Sequence, residues 1–504
     1  MIQKVTHPPQ NDSWQGEETA SGPSAAPPIP RRRGFSCLSL GLRSGLLQKV
    51  FRWGGLDEAV VTTILGRGWG ALSGLISLVL LTRFLSGAQQ GFYFTFADIL
   101  GLQVFFELGL AHVLVQFASH ERARLEWTAN GLLEGDPVAK LRLASLLRLI
   151  VRWYGAMTVL ILLLLLPGGA AYFLRYGVHD THIAWQLPWV WIVCVTAGSL
   201  AVSPLLALLE GCGLIARIAR VQMLLAIVGS LLFWVALRCH WGLYTAPITN
   251  TTAFVGNVCW LWLTKRRFFA DLWACHAAPD DPGRMGIGWK QEIWPLQWKI
   301  ALSWLSGYFI FRMFNPILFA LHGSVAAGRL GLSLAAVAAL AGISLAWIST
   351  KSSPFGMLVA RSEFDELDRR FFPCLWQSFT VLALGSALLW LATFALFASG
   401  NPLRLRILEP LPMALLLAAT LATHFVYCEA IYLRAHKQEP FLVMSLVWGA
   451  LILLSSLILG RAFGATGMML GYFIINLTVG AGAGTWIFAR KRAEWHGGIH
   501  TSHV

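Results

Sequence analysis

Two long apolar runs, joined by a short polar turn, occupy the stretch from Ile64 to Phe117. A bilayer core about 30 Å thick requires roughly 20 helical residues to cross it, and backbone inside lipid is satisfied only in helices or closed barrels. Runs of this length without polar alternation predict a helical hairpin across a membrane. The hairpin also carries Asp98, Glu107 and His112, whose exposure to lipid would be costly. We therefore expect these side chains to face a polar interior, which is typical of transporters.

The composition extends this interpretation to the whole chain. Hydrophobic residues make up 56% of the 504 residues and charged residues only 13%, with a mean hydropathy of +0.61, which excludes an ordinary soluble domain. The net charge of +14 is interpreted first as a topology signal, and nucleic-acid binding is a poor second. The cysteines are scattered without a Cys-x-x-Cys pair, so neither a disulfide framework nor a metal site is predicted.

Hydropathy and helix-boundary residues divide the chain into about twelve transmembrane helices. The fold class predicted is therefore all-α, a polytopic integral membrane protein with two six-helix bundles. Pro204 and Pro316 fall inside predicted helices and should kink them. The predicted spans are 62–84, 92–117, 149–167, 186–210, 219–237, 245–263, 297–321, 330–350, 374–398, 410–432, 440–460 and 466–488.

An internal repeat supports the division into two bundles. The turn at 88–93 resembles the turn at 326–330, and the helix end at 208–211 resembles the one at 427–430. Their similar offsets indicate two halves in parallel order, which usually enclose a site near the bilayer midplane. The alternative is that small-residue turns are common to all membrane hairpins.

The distribution of Lys and Arg predicts the orientation. Cations concentrate in both termini and in the long loops 118–148, 264–296 and 351–373, which places these segments in the cytoplasm. The predicted domains are a disordered cytoplasmic tail at 1–34, a juxtamembrane amphipathic segment or simple tether at 35–61, an N-terminal bundle at 62–264, a cytoplasmic linker at 265–296, a C-terminal bundle at 297–489 and a cytoplasmic tail at 490–504.

Short motifs rich in glycine and charged residues accompany the predicted helices. They are Arg67-Gly-Trp-Gly, Arg83-Phe-Leu with the following Gln90-Gly-Phe-Tyr, Glu107-Leu-Gly-Leu, Leu209-Glu-Gly-Cys-Gly with the following Arg220-Val-Gln, the run that begins at Gln297-Trp-Lys and ends at Phe311, and Ala327-Gly-Arg-Leu-Gly-Leu-Ser. In this order they resemble Wzx-type polysaccharide and O-antigen flippases (lipopolysaccharide biosynthesis proteins) of the multidrug/oligosaccharidyl-lipid/polysaccharide exporter superfamily. The resemblance covers approximately residues 60–490 and leaves the N-terminal tail unexplained.

The resemblance implies two bundles that form a V and work by alternating access. It also implies that the cargo is an undecaprenyl-pyrophosphate-linked glycan, moved across a bacterial inner membrane. The partners implied are membrane lipids and the polysaccharide polymerase machinery, with no cofactor and no nucleic acid.

Two arginines inside the predicted spans suit an anionic cargo. Arginine stays protonated and grips phosphate oxygens in pairs. Arg312, deep in the seventh predicted helix, is the better candidate for binding substrate, and Arg67, near the start of the first, is the second. Snorkelling of either side chain to the interface, or an ion pair of Arg67 with the second helix, remains the alternative.

Two carboxylates in the second predicted span are candidates for ion coupling. Asp98 and Glu107 are spaced so that they point to opposite sides of the helix unless it bends. A buried carboxylate could carry a coupled proton. The alternative is a structural pair with Arg67 or Arg83.

Two further carboxylates are candidates for gating. Glu210 and Glu429 end equivalent helices of the two halves, close to Arg217 and Arg434 respectively. They are interpreted as gate ion pairs between helices, with plain interfacial charges as the alternative.

Other functional classes find less support in the sequence. A membrane glycosyltransferase or polymerase usually needs acidic residues on a sizeable outer loop, and the longest one predicted, 168–185, offers only Asp180. A primary pump would need a Gly-x-x-x-x-Gly-Lys-Ser/Thr loop, which does not occur. We therefore predict no catalytic residues and no enzyme. A multidrug exporter of the same superfamily is the closest alternative, because a fold does not determine the cargo.

Overall fold

The computed structural model describes residues 58–107, 110–180, 182–275, 307–436, 438 and 440–497. Within these ranges the chain is almost entirely helical. The only sheet in the described part is a short antiparallel hairpin, in which β1 (Leu125–Trp127) pairs with β2 (Leu133–Gly135). Seven helical stretches of the described residues are long and apolar enough to cross a membrane. The predicted fold class, an all-α polytopic membrane protein, is confirmed.

The N-terminal half begins its second helix at a capping box, in which the Ser86 hydroxyl accepts from the Gln89 backbone and the Gln89 side chain accepts from the Ser86 backbone. The helices of this half are α1 (Glu58–Phe84), α2 (Gly87–Leu100), α3 (Val104–Glu107), α4 (Leu110–Arg122), α5 (Pro137–Tyr176), α6 (Gln186–Leu209), α7 (Ile215–Arg238) and α8 (Ile248–Ala274).

The C-terminal half begins, in the described part, with a helical turn at 307–311. Its helices are α9 (Phe314–Ser349), α10 (Ser352–Ala360), α11 (Phe364–Ala398), α12 (Pro410–Ala435), α13 (Leu442–Ile475) and α14 (Gly484–Gly497). A stretch of wider π-helical turns, Asn476–Ala483, links α13 to α14.

Sharp turns at three glycines divide apolar stretches that are otherwise continuous. They are Gly213 between α6 and α7, Gly323 within α9, and Gly464 within α13. Gly323 has φ +84°, in the left-handed region that glycine occupies without a steric penalty. Each of these stretches is long enough to make two membrane passages.

The second predicted span is not one continuous helix. Residues 92–117 were predicted to form a single crossing, but α2 ends at Leu100 and a tight turn follows at Gly101–Gln103. A side chain at position 101 would lie 3.3 Å from the ring of Tyr308, so the glycine allows the turn to pack closely against the other half. Asp98 and Glu107 therefore belong to two different helices, α2 and α3.

Several helices extend beyond the lengths predicted from hydropathy. α5 begins at Pro137, inside the loop predicted at 118–148, and α8 continues to Ala274, inside the linker predicted at 265–296. Hydropathy detects only the part of a helix that lies in lipid, so polar helix extensions are missed. The segment predicted at 1–34, the part of the segment predicted at 35–61 that precedes residue 58, and the rest of the linker lie outside the described residues. In the predicted tail 490–504, α14 is described as far as Gly497.

Buried side chains form two large cores that correspond to the two halves. One core joins residues of the N-terminal half between Ala88 and Leu272, and the other joins residues between Ile310 and Phe488. A smaller cluster packs α1 against α7. Phe319 and Ala327 belong to α9 in sequence but pack in the N-terminal core. The first part of α9 is therefore inserted into the opposite half.

Candidate functional site

A polar cluster joins the two halves inside the membrane-spanning region. The Arg312 guanidinium donates to Oδ1 of Asp98 at 3.2 Å, and the Asn315 side-chain amide donates to Oδ2 at 2.7 Å. The Tyr308 hydroxyl donates to the backbone carbonyl of Asp98 at 3.2 Å. Asp98 belongs to α2, whereas its three partners lie at and just before the start of α9. The cluster therefore spans the boundary between the halves.

Pro316 explains why Arg312 lies at a break in the helix. A proline within a helix cannot donate to the carbonyl four residues earlier, and its ring clashes with that carbonyl. The carbonyl in question belongs to Arg312, and the helix stops at 311 and resumes at Phe314. The predicted effect of Pro316 is confirmed, although the interruption precedes the proline by one turn and leaves it in the first turn of α9.

The two charges of the pair are exposed to different extents. The Arg312 side chain is 54% exposed, whereas the Asp98 side chain is only 9% exposed. Asn315 and Arg312 occupy both oxygens of the carboxylate. Since an arginine has five N–H donors, the guanidinium keeps donors for another ligand. The pair therefore presents a cation, not an anion, to its surroundings.

Arg312 and Asp98 line a cavity of about 440 Å³, which we call the central cavity. Most of the wall comes from the C-terminal half, and α2 closes the remaining side with Phe94 and Ala97. The part of the wall formed by α12 and α13 carries groups that can form hydrogen bonds: Thr420, Thr423, His424, Tyr427 and Tyr472. The cavity can therefore hold a polar or anionic group beside a single exposed guanidinium.

His424, a buried histidine of α12, has a hydrogen-bond partner among the described residues for only one of its two ring nitrogens. Its Nε2 atom lies 2.9 Å from the Ser378 hydroxyl, but its buried Nδ1 atom has no partner. The residue is 2% exposed and lines the cavity. No hydropathy signal distinguishes a histidine on a cavity wall from one inside a core.

The two halves meet closely at one end of the molecule, which we call the closed end and define by the turns at 85–91 and 322–328. A side chain at Gly91 would lie 1.9 Å from the Ser324 carbonyl oxygen, and one at Gly328 would lie 2.5 Å from the Gly87 carbonyl oxygen. The turns predicted to be equivalent in the two halves therefore pack against each other. Only glycine permits backbones to approach this closely.

Aromatic packing reinforces the closed end. The Phe319 ring lies 4.9 Å from the Phe92 ring and 5.7 Å from the Phe173 ring. The Tyr172 hydroxyl also donates to the Pro316 carbonyl at 2.5 Å. The extensive contacts between the halves, within the described residues, join α1, α2 and α5 to α9. The halves are thus held together at the closed end and at the polar cluster beside it.

Arg67 lies apart from the polar cluster. It is on the exposed side of α1, about 25 Å along the helix from the end of α1 at Phe84. This part of α1 contacts α7, where the Trp69 indole donates to the Ser230 hydroxyl at 3.2 Å. Neither Asp98 nor Glu107 pairs with Arg67 or Arg83 in the described part of the chain, so the alternative structural pairs are not formed there.

The other predicted carboxylates do not form gate ion pairs in the described part of the chain. Glu107 is half-buried at the end of α3 and has no hydrogen bond there. Glu210 begins the π-helical turn Glu210–Leu214. Glu429 is 3% exposed, and its Oε1 atom accepts from the Thr485 hydroxyl at 2.8 Å while Oε2 has no partner. Helix α14 therefore supplies one hydrogen bond to Glu429 from within the same half.

Comparison with known proteins identifies the fold. No family model matches the sequence, and no curated protein matches it. Solved structures do match. The lipid II flippase MurJ, in an inward closed conformation, aligns with a TM-score of 0.57 and 10% identity over 86% of this chain and 87% of that one. The chain has the fold of MOP-superfamily transporters.

Two further structures support this assignment of the fold. An inward-facing multidrug resistance MATE family transporter of the MOP superfamily aligns with a TM-score of 0.53 and 14% identity, over 86% of this chain and 100% of that one. A MOP superfamily transporter from Pyrococcus furiosus aligns with a TM-score of 0.52 and 14% identity, over 87% of this chain and 95% of that one. The matching proteins include a lipid flippase and a drug transporter, so the fold alone leaves the cargo open.

Proposed function

We propose that this protein is a flippase that moves a lipid-linked oligosaccharide across the bacterial inner membrane by alternating access. Its role would be in the synthesis of cell-surface polysaccharide or lipopolysaccharide. The observation that carries the proposal is the unequal exposure of the pair across the halves, in which Arg312 opens into the cavity and Asp98 is covered.

The charge presented to the cavity supports an anionic cargo. An undecaprenyl pyrophosphate carries negative charge that cannot cross about 30 Å of hydrocarbon without a partner. An arginine fork binds such oxygens in pairs, and Arg312 has free donors on the cavity side. The Tyr427 hydroxyl and the unpartnered Nδ1 atom of His424, both on the cavity wall, can bind phosphate or sugar oxygens in addition.

The same observation supports an anionic cargo over the drug cations of the alternative function. Aromatic rings on the cavity wall could contact an organic cation, but balancing its charge requires an accessible carboxylate. The Asp98 carboxylate is occupied by Arg312 and Asn315 and is nearly inaccessible. A cation in this cavity would meet the exposed guanidinium and be repelled.

The transport cycle we propose follows from the arrangement of the two halves. With the closed end sealed, cargo enters from the opposite end and its phosphates reach Arg312. Opening the closed end then requires α2 and the first part of α9 to separate, which breaks the Asp98–Arg312 contact. Phosphate bound to Arg312 competes with Asp98 for the guanidinium, so cargo binding itself weakens the contact that holds the halves together.

Transport by the purified protein in sealed liposomes tests this proposal against its alternative. One set of vesicles contains an undecaprenyl-pyrophosphate-linked oligosaccharide, and the movement of glycan between leaflets is measured by its accessibility to an impermeant glycosidase. A second set is loaded with a fluorescent organic cation. Glycan movement without cation export supports the flippase, whereas cation export without glycan movement establishes the drug exporter.

A further inference from the structure

A cationic groove lies between the end of α9 and the start of α11, away from the cavity described above. It encloses about 630 Å³ and has Trp347, Lys351, Arg369 and Arg370 among its lining residues. Leu345 lines the central cavity and Trp347 lines the groove. Because helical positions two residues apart differ by about 200° around the axis, the groove opens on a different face of α9.

The groove carries an excess of positive charge. Arg370 pairs with Glu366 at 2.6 Å. Lys351 and Arg369 are exposed and form no ion pair within the described part of the chain. None of the lining residues is acidic. A groove with two unneutralised cations favours an anionic ligand.

Apolar residues place the groove at the level of a membrane surface. Its floor includes the fully buried Phe355, and its edges include Pro354 and Pro373. Trp347 is 45% exposed and Trp376, on the neighbouring α11, is 56% exposed. Exposed tryptophans mark the level of lipid headgroups, and basic pockets between helices at that level bind acidic headgroups.

We propose that this groove binds the headgroup phosphate of an anionic phospholipid, with Lys351 and Arg369 as the charged contacts and Trp347 beside the glycerol and upper acyl chain. The site would be a lipid-binding site on the outer wall of the C-terminal half. It is independent of the cargo, because its residues do not line the central cavity.

Native mass spectrometry of the full-length protein in detergent tests this proposal. The delipidated protein is titrated with cardiolipin, and separately with phosphatidylethanolamine. The double variant Lys351→Gln/Arg369→Gln should bind cardiolipin about tenfold more weakly than the wild type, because each basic side chain near an acidic headgroup contributes measurably to binding. The charge-preserving variant Lys351→Arg/Arg369→Lys should bind cardiolipin as the wild type does.

The matched control is Arg152→Gln/Arg267→Gln, which removes the same charge from two exposed positions on α5 and α8. This control should bind cardiolipin as tightly as the wild type. An equal loss of binding in the control and in the groove variant would overturn the site, since net charge would then account for binding. Displacement of cardiolipin by inorganic phosphate would also overturn it, because a free anion rather than a lipid would then be the ligand.

Discussion

The Arg312 guanidinium contacts the Asp98 carboxylate at 3.2 Å across the boundary between the two halves. Both residues also line the central cavity. The same contact therefore helps to hold the halves together and determines the charge that cargo would meet in the cavity.

Asp98→Asn should favour separation of the halves at the closed end. It removes the charge that holds Arg312, and a part-exposed pair of this kind contributes about 1 kcal/mol, which is roughly a fivefold change in population. Spin labels at Tyr176→Cys and Leu403→Cys, two exposed positions on opposite halves, would report the distance in a background without other exposed cysteines. The double variant Asp98→Asn/Arg312→Gln should resemble the single one; additive effects of the two changes would show that the residues act separately.

Gly91→Ala should disturb the closed end more directly. The added methyl group would lie 1.9 Å from the Ser324 carbonyl oxygen, so the backbones must move apart at a cost of about 1–3 kcal/mol. Thermal melting of the purified protein should show a lower midpoint, and the spin-label distance should lengthen. Gly70→Ala is the control, because nothing lies within 4 Å of a side chain at that position. Identical melting of the two variants would argue against close packing here.

Asp368→Asn should loosen the C-terminal helix α14. Asp368 accepts from Arg492 and from the Tyr432 hydroxyl, the latter at 2.8 Å. Losing hydrogen bonds between charged groups costs about 2 kcal/mol, so trypsin should cleave faster at Arg490 and Lys491. Glu363→Gln, at the exposed residue just before the helix that carries Asp368, serves as the control. Unchanged cleavage in the Asp368 variant would contradict a role for this residue in holding α14.

The orientation predicted from the positive charges is testable at four exposed positions. The variants Arg175→Cys and Arg404→Cys should react with a thiol reagent that cannot cross the inner membrane, added to cells whose outer membrane is permeable to it. Cysteines at Arg266 and Arg370 should react only after the inner membrane is broken. All four residues are exposed, so accessibility depends on the side of the membrane alone. Labelling of a cysteine at position 266 in intact cells would show that the predicted orientation is wrong.

Hydropathy and helix-boundary residues predicted the fold class and most membrane passages, because each passage is a local property of the sequence. The interruption before Pro316 was also predictable, since the proline removes a specific hydrogen bond. The partnership of Asp98 with Arg312 was not, because these residues lie 214 positions apart and belong to different halves. Asn315 and Tyr308 were missed for the same reason.

The lengths of the helices outside the membrane were also not predictable from hydropathy. The N-terminal end of α5 is polar and its cap is formed by Asp136, whose Oδ1 atom accepts from the Val138 backbone. Such a cap is a local signal that could have been read from Asp136-Pro137. The contact of Glu429 with Thr485, in contrast, could not be predicted from a local signal, because it depends on how α14 packs against α12.

The proposed role of Arg312 makes it the position at which the account is most directly tested. Purified wild type, Arg312→Lys and Arg312→Ala are placed in sealed liposomes at equal protein density, together with an undecaprenyl-pyrophosphate-linked oligosaccharide. The lysine variant keeps a charge but loses the bidentate fork, so it should retain partial glycan movement. The alanine variant should lose it.

Glycan movement, measured as the rate at which an impermeant glycosidase gains access to glycan, is the deciding quantity. We expect a rate that falls from wild type to lysine to alanine, with the alanine variant indistinguishable from protein-free liposomes. A wild-type rate in the alanine variant, with the protein folded and inserted at the same level, would contradict the account.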